Sequence, residues 1–258
     1  MKPYKKKVVI GNCELYLGDC LKVMHVVGNI NHTIGDPPYE AFMHEAKFRH
    51  RKNLRTDKGI APKALDFASI DEIRMPFVQV AEKYCNGWFI VFCTPEGVGR
   101  WADAINESTI KYKRACTWVK PDSTPQLNGQ GPAMGAENFV VAWAGSGFAK
   151  WNAGGKRGVY RHTVNPPDRH GTHPTEKPWR LFYEILIDFT NEGETILDPF
   201  AGSGTTGVAC IKSGRKFIGI EKDPKYFDVM CERIQDAVDQ PDLFIEPPKP
   251  QTQEAMKL

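Results

Sequence analysis

The chain has 258 residues, 41% hydrophobic and 25% charged, with a net charge of +3. That length fits one large α/β domain or a domain with an insertion, and so small a charge requires any nucleic-acid surface to come from local clustering. No run approaches the ~18 apolar residues of a membrane span, the basic start MKPYKKKVVIG lacks the apolar core of a signal peptide, and the seven cysteines are never spaced Cys-x-x-Cys. An odd set of thiols in apolar runs reads as reduced and buried in a cytosolic protein, without a zinc site.

Residues 7–10 and 14–17 read as short strands around Gly11-Asn12. Asp19 then reads as the N-cap of a helix carrying Leu21, Met24 and Val27. Residues 31–34 form a strand that runs into Gly35-Asp36-Pro37-Pro38-Tyr39. Two prolines after a strand hold the backbone extended, with carbonyls that no helix can claim. An acidic side chain before them and an aromatic after them sit at the carboxyl end of a strand, where open α/β sheets bind ligands. The alternative is a plain proline turn with a helix-capping Asp.

Residues 41–59 lose apolar periodicity, and between Lys47 and Lys58 there are six Lys/Arg, one His and one acidic residue. A solvated loop and a grip on phosphates both fit that density. Residues 69–84 read as a helix capped by Ser69 or Asp71, with Ile73, Phe77, Val80 and Ala81 as its core stripe. WFIVFC at 88–93 reads as a central buried strand. A helix over 98–106, a strand over 114–119, a long Pro/Gly/Gln-rich loop over 120–135 and a strand over 138–143 follow. Residues 144–171 mix glycines with Trp151, Lys156, Arg157, Tyr160, Arg161, His162, Arg169 and His170. Such interleaving suits a nucleic-acid surface, or an ordinary surface excursion.

His173-Pro-Thr-Glu-Lys-Pro178 leads into a helix over 179–190. A short strand over 195–197 then meets Asp198-Pro-Phe-Ala-Gly-Ser-Gly-Thr-Thr206, followed by a helix start over 207–212. A strand, a glycine turn and a helix N-terminus make a nucleotide-type cradle. Gly202 and Gly204 remove side chains where a ligand approaches the backbone. There is no Gly-Lys-Ser/Thr ending, so this is not a P-loop, and the dinucleotide spacing is incomplete. The next strand, 215–220, ends in Gly219-Ile220-Glu221. Glu221 is placed either to receive a ribose diol or to cap the next helix, a role Asp223 with Pro224 already fills. That helix spans 223–239, and residues 240–258, with four prolines, read as a mobile tail. Alternating strands and helices imply a mostly parallel sheet covered on both faces.

Asp36-Pro-Pro-Tyr39 together with Asp198 to Thr206 resembles the amino-methylating DNA methyltransferases. Those enzymes transfer a methyl group from S-adenosylmethionine to an exocyclic amine of adenine or cytosine. The catalytic motif precedes the cofactor motif, which is similar to the beta class. Gly18-Asp19, residues 173–178 and Gly219-Ile-Glu221 extend the resemblance over residues 18–221, with five motifs in family order. The resemblance implies a Rossmann-like α/β methyltransferase fold, with a seven-stranded, mostly parallel sheet, helices on both faces and a circularly permuted motif order. It implies a catalytic domain over 1–239, carrying the basic loop 41–59 and a target-recognition insertion over about 120–172, with 240–258 as a tail.

S-adenosyl-L-methionine is the implied cofactor, with no metal. The implied catalytic residues are Asp36, Pro37, Pro38 and Tyr39. The implied cofactor contacts are Asp19, Cys20, Asp36, Thr175, Lys177, Pro178, Asp198, Phe200, Ala201, Gly202, Ser203, Gly204, Thr205, Thr206, Glu221 and Lys222. DNA contact is expected from Lys47, Arg49, Arg51, Lys52, Arg55, Lys156, Arg157, Arg161 and Arg169. Within the family, Asp at the head of the catalytic motif leans towards adenine N6 and Ser towards cytosine N4, so Asp36 favours adenine. Gly35 departs from the commoner Thr or Ala, a change expected to affect packing more than chemistry. Expected partners are double-stranded DNA, a second copy of the chain and a separate restriction endonuclease, in a bacterial or phage-infected cytoplasm. The alternatives are a cytosine-N4 enzyme, an amine methyltransferase on RNA or protein, and a DNA-binding regulator that keeps the fold without catalysis.

Overall fold

The computed structural model describes residues 2–28, 30–38, 70–124, 131–166 and 176–240. Its strands are β1 (Tyr4–Ile10), β2 (Cys13–Gly18), β3 (His32–Gly35), β4 (Trp88–Cys93), β5 (Lys111–Val119), β6 (Ala136–Trp143), β7 (Val159–Arg161), β8 (Thr195–Asp198) and β9 (Lys216–Glu221). Its helices are α1 (Cys20–Val23), α2 (Ile70–Tyr84), α3 (Gly97–Asn106), α4 (Trp179–Phe189), α5 (Thr205–Lys212) and α6 (Pro224–Asp239).

The described strands form one sheet in the order β1-β2-β9-β8-β3-β4-β6-β5-β7. β2, β9, β8, β3 and β4 run parallel to one another, while β1 is antiparallel to β2 and β6 is antiparallel to both β4 and β5. The sheet therefore has nine strands where seven were expected: β1 and β7 extend it at its two edges. Sequence reasoning placed β7 inside a surface excursion. Of its three residues only Tyr160 is buried, so there was no apolar run to read. The strand is held by parallel pairing of Val159 to Arg161 with Thr117 to Val119, and by a hydrogen bond from the Tyr160 hydroxyl to Asp188 Oδ2 at 2.7 Å.

β4 shows why the sheet is covered on both faces. Strand side chains alternate: Trp88, Ile90 and Phe92 enter the cluster that α4, α5 and α6 cover. Phe89, Val91 and Cys93 enter the cluster under α1, α2 and α3. All six are buried, and each large side chain so buried contributes about 1.5–3 kcal/mol. All seven cysteines are free thiols, six buried and Cys231 half-buried. No helix of the described residues is long and apolar enough to cross a membrane.

Candidate active site

Because β2, β9, β8 and β3 are adjacent parallel strands, their carboxyl ends open on one edge of the sheet. This brings together Gly18-Asp19, Glu221, Asp198 and Gly35-Asp36, residues drawn from four distant stretches of chain. Gly35 keeps β3 tight against the glycine turn: a Cβ there would lie 3.2 Å from Pro199 Cδ and 3.4 Å from Phe200 Cδ2.

The turn after β8 is tied from within. Asp198 accepts from the Phe200 amide at 3.0 Å and from the Thr206 hydroxyl at 2.6 Å. The Ala201 amide donates to the Ile220 carbonyl at 3.0 Å, which fixes the turn to β9. Gly202 and Gly204 have φ of 52° and 85°, in the left-handed region. A Cβ on Gly204 would meet Met230 Cγ at 2.9 Å, and one on Gly207 would meet Ile234 Cδ1 at 2.4 Å. The packing of α5 against α6 thus demands glycine at both Gly204 and Gly207, a reason the sequence did not show. Gly202 has only the Phe200 carbonyl oxygen at 3.9 Å in the corresponding position, which leaves room beside it.

Glu221 reaches back to the glycine turn. Its carboxylate accepts from the Gly202 amide at 2.8 Å and the Asp223 amide at 2.7 Å. Asp223 caps α6 by accepting from the amides of Lys225 and Tyr226, so the capping alternative for Glu221 falls away. Asp19 caps α1, accepting from the Leu21 amide at 2.9 Å. Cys20 beside it is buried, and burial pushes its thiol up to about 12. Lys222 is exposed, and Pro178 forms the extended N-cap of α4.

Asp36 is half-buried, and its two oxygens differ. Oδ2 is held by the Lys177 ammonium, whereas Oδ1 is buried with no hydrogen-bond partner among the described residues. Burial pushes the Asp36 carboxyl above its ordinary range, while Lys177 pulls it down. Burial likewise pushes Asp198 up to about 7, with Asp36 and Glu221 adding repulsion. Glu221 is also raised by burial, against three backbone amides that lower it. Burial thus raises all three carboxyls around this turn.

Several residues of this edge escaped sequence reasoning. Arg233 of α6 is buried and donates to the Ser203 carbonyl at 2.9 Å, the Ser203 hydroxyl at 2.7 Å and Thr205 Oγ1 at 3.4 Å. Its other terminal nitrogen pairs with Glu176 at 2.7 Å. The signal was present: Arg233 falls on the helix stripe of Phe227, Met230 and Ala237, where only apolar residues were expected. Lys120 and Glu137, at either end of the 120–135 stretch, form an ion pair that also meets Lys177.

Of the expected DNA contacts, Lys156, Arg157 and Arg161 are among the described residues. Arg157 and Arg161 are exposed. Lys156 is half-buried, and its ammonium pairs with Glu184 at 2.7 Å and with Asp188. Tyr39, Thr175, Lys47, Arg49, Arg51, Lys52, Arg55 and Arg169 lie outside the described residues.

The parallel strand ends thus assemble a glycine turn, the buried Asp198 and Glu221 and an Asp-Pro-Pro segment, and the fold they stand on is that of the α/β methyltransferases. The pattern of the DNA methylase family, which joins N6 and N4 enzymes, matches residues 30–232. The chain belongs to that family and is an S-adenosylmethionine-dependent DNA methyltransferase. Over 241 residues it is 27% identical to the type II methyltransferase M2.MboI of Moraxella bovis, covering 87% of this chain and 88% of that one. A shorter stretch of 67 residues, 26% of this chain and 23% of the relative, is 48% identical to the DNA adenine methyltransferase YhdJ of Escherichia coli. Among solved structures, the M1.HpyAVI–SAM complex superposes with a TM-score of 0.65 at 23% identity, over 86% of this chain and 98% of that one. The cytosine-N4-specific PvuII DNA methyltransferase superposes at 0.69 with 17% identity, over 92% and 94%.

Proposed function

We propose that this chain is a site-specific adenine-N6 methyltransferase acting on a base flipped out of duplex DNA. The observation that carries the reading is Asp36, at the carboxyl end of β3, with Oδ2 held and Oδ1 buried without a partner among the described residues. An exocyclic base amine is a poor nucleophile because its lone pair is delocalised into the ring. Asp36 Oδ1 accepts one amine hydrogen and the Pro37 carbonyl accepts the other. Two acceptors draw the nitrogen towards tetrahedral geometry and expose its lone pair. The rings of Pro37 and Pro38 keep the acceptors preorganised. Tyr39 stacks on the base, which must leave the duplex to be reached.

Asp198, Glu221 and the amides of the glycine turn fit S-adenosylmethionine, whose ammonium and sulfonium suit the acidic edge. Asp19, Cys20, Thr175, Pro178 and Lys222 complete the proposed contacts. When bound, S-adenosylmethionine supplies an electrophilic methyl group. Arg157 and Arg161, with Lys47, Arg49, Arg51, Lys52, Arg55 and Arg169, contribute the proposed DNA surface. The recognition insertion spans about 120–172 of a catalytic domain over 1–239. A type II relative supports pairing with a separate endonuclease in a bacterial cytoplasm, and a homodimer is the proposed assembly.

Asp rather than Ser at position 36, and a relative named as a DNA adenine methyltransferase, support adenine. Cytosine-N4 is the second reading, favoured by the fold likeness to a cytosine-N4-specific enzyme. Nucleoside mass spectrometry of unmethylated genomic DNA treated with the protein and S-adenosylmethionine decides between them. N6-methyladenine is expected, and N4-methylcytosine would overturn the assignment. Asp36→Ala should abolish transfer while cofactor binding persists. An active variant would refute the role of Asp36.

A further inference from the structure

Four charged side chains alternate in sign along one line at the site: Lys120, Glu137, Lys177 and Asp36. Lys177 Nζ contacts Asp36 Oδ2 and stands 3.4 Å from Glu137 Oε2, and Lys120 holds Glu137 Oε1. The Lys177 side chain is 6% exposed and that of Glu137 11% exposed. The face of Phe92 lies 5.0 Å from Nζ and closes off another direction. The line ends on the one oxygen of Asp36 that is not free to meet an amine.

We propose that Lys177 is a positioning residue for Asp36, and that the Glu137–Lys120 pair sets where Lys177 stands. This rests on the methyl-transfer reading above and assigns Lys177 a task other than contact with the cofactor. A carboxylate that accepts an amine hydrogen must be ionised and must present a fixed oxygen. Pinning Oδ2 stops the carboxylate from rotating and leaves Oδ1 as its reacting face. The charge on Lys177 opposes the protonation that burial favours. Among the described residues, the charged groups that face Asp36 are Lys177, Glu137, Lys120 and Asp198, and of these the lysines stabilise its charge. Glu137 cannot replace Asp36, because both its oxygens are engaged by lysines. Lys120 opens the 120–135 stretch and Glu137 follows it, so residues near the start of the proposed recognition insertion also set the register of the reacting carboxylate.

The test uses the full-length protein and the variants Lys177→Met, Lys177→Arg and Glu137→Gln. Single-turnover methylation is followed against pH with S-adenosylmethionine prebound, and cofactor affinity is measured by calorimetry without DNA. Lys177→Met should slow transfer about 100-fold near neutral pH, the usual cost of misplacing a reacting group. Its acid limb should move to higher pH, while cofactor affinity changes by no more than about threefold. Lys177→Arg should restore at least about tenfold of the rate. Glu137→Gln removes a charge that raises Asp36 and also an anchor of Lys177, so it should move the limb to lower pH while slowing transfer less than Lys177→Met. If Lys177→Met instead weakens cofactor binding with an unchanged limb and an unchanged rate at saturation, Lys177 is a cofactor ligand only and the inference fails alone. If the unaltered protein transfers no methyl to DNA, the parent reading fails with it.

Discussion

Replacing Arg233 by Met should loosen the glycine turn from a distance. The guanidinium is buried and joins α6 to Glu176 and to three oxygens of Ser203 and Thr205. Removing one partner of a buried ion pair costs about 3–5 kcal/mol, mostly because the other charge is left behind. Here that charge is Glu176, which is also buried. At roughly 2–4 °C per kcal/mol for a domain of this size, the melting midpoint should fall by about 6–20 °C. Thermal unfolding by circular dichroism reads this directly. The double variant Arg233→Met with Glu176→Gln should melt above Arg233→Met alone, since it no longer strands a carboxylate. Calorimetry should show weaker S-adenosylmethionine binding in the single variant, because the Ser203 carbonyl and hydroxyl lose their anchor. A midpoint within about 2 °C of the unaltered protein, or a double variant whose loss is the sum of the two single losses, would refute the reasoning.

Other outcomes follow from the same geometry. Asp198 is raised from 3.8 to about 7, so the folded state holds a proton that the unfolded state releases, and its contribution to stability is lost as pH rises between those values. The unfolding midpoint of unaltered protein relative to Asp198→Asn should therefore fall over that window and level off above it, and a flat difference would discount the buried carboxyl. Cofactor affinity should rise over the same window as the carboxyl ionises. Gly207→Ala would place a Cβ 2.4 Å from Ile234 Cδ1 and 2.7 Å from the Phe217 ring, so denaturant titration should register a loss of about 1–3 kcal/mol. Substituting Arg51 and Lys52 together should flatten the plot of log affinity for DNA against log salt by about 1–2 units. An unchanged slope would place the phosphate contacts elsewhere.

The elements legible in the sequence were those with an apolar run or a turn chemistry of their own. WFIVFC became β4 at its expected bounds, and Asp223-Pro224 opened α6 as read. The four strand ends could be matched by motif, and the parallel register then explains why they meet. Interactions carried by single charged residues on distant elements stayed hidden. Glu176 and Arg233 lie 57 positions apart, and Lys177 and Asp36 lie 141 apart. No local pattern ties such pairs together. β7 was hidden for a related reason, since its pairing lies in the backbone and not in an apolar repeat. The motif glycines were found, but the packing that demands Gly204 and Gly207 was not, because the neighbours that demand them come from α6 and β9.

The pairing of β3 with β8 sets a clock on the protein's own synthesis. His32 lies beside Ile196 and Thr33 beside Leu197, so the strand that presents Asp36 has no neighbour on that side until most of the chain has been made. At about 5–20 residues per second, Asp198 leaves the ribosome roughly 8–30 s after Asp36. A nascent or truncated chain thus carries the Asp-Pro-Pro segment without the turn that faces it. Methylating capacity arises only as the last strands close the sheet, so an interrupted translation product cannot mark DNA.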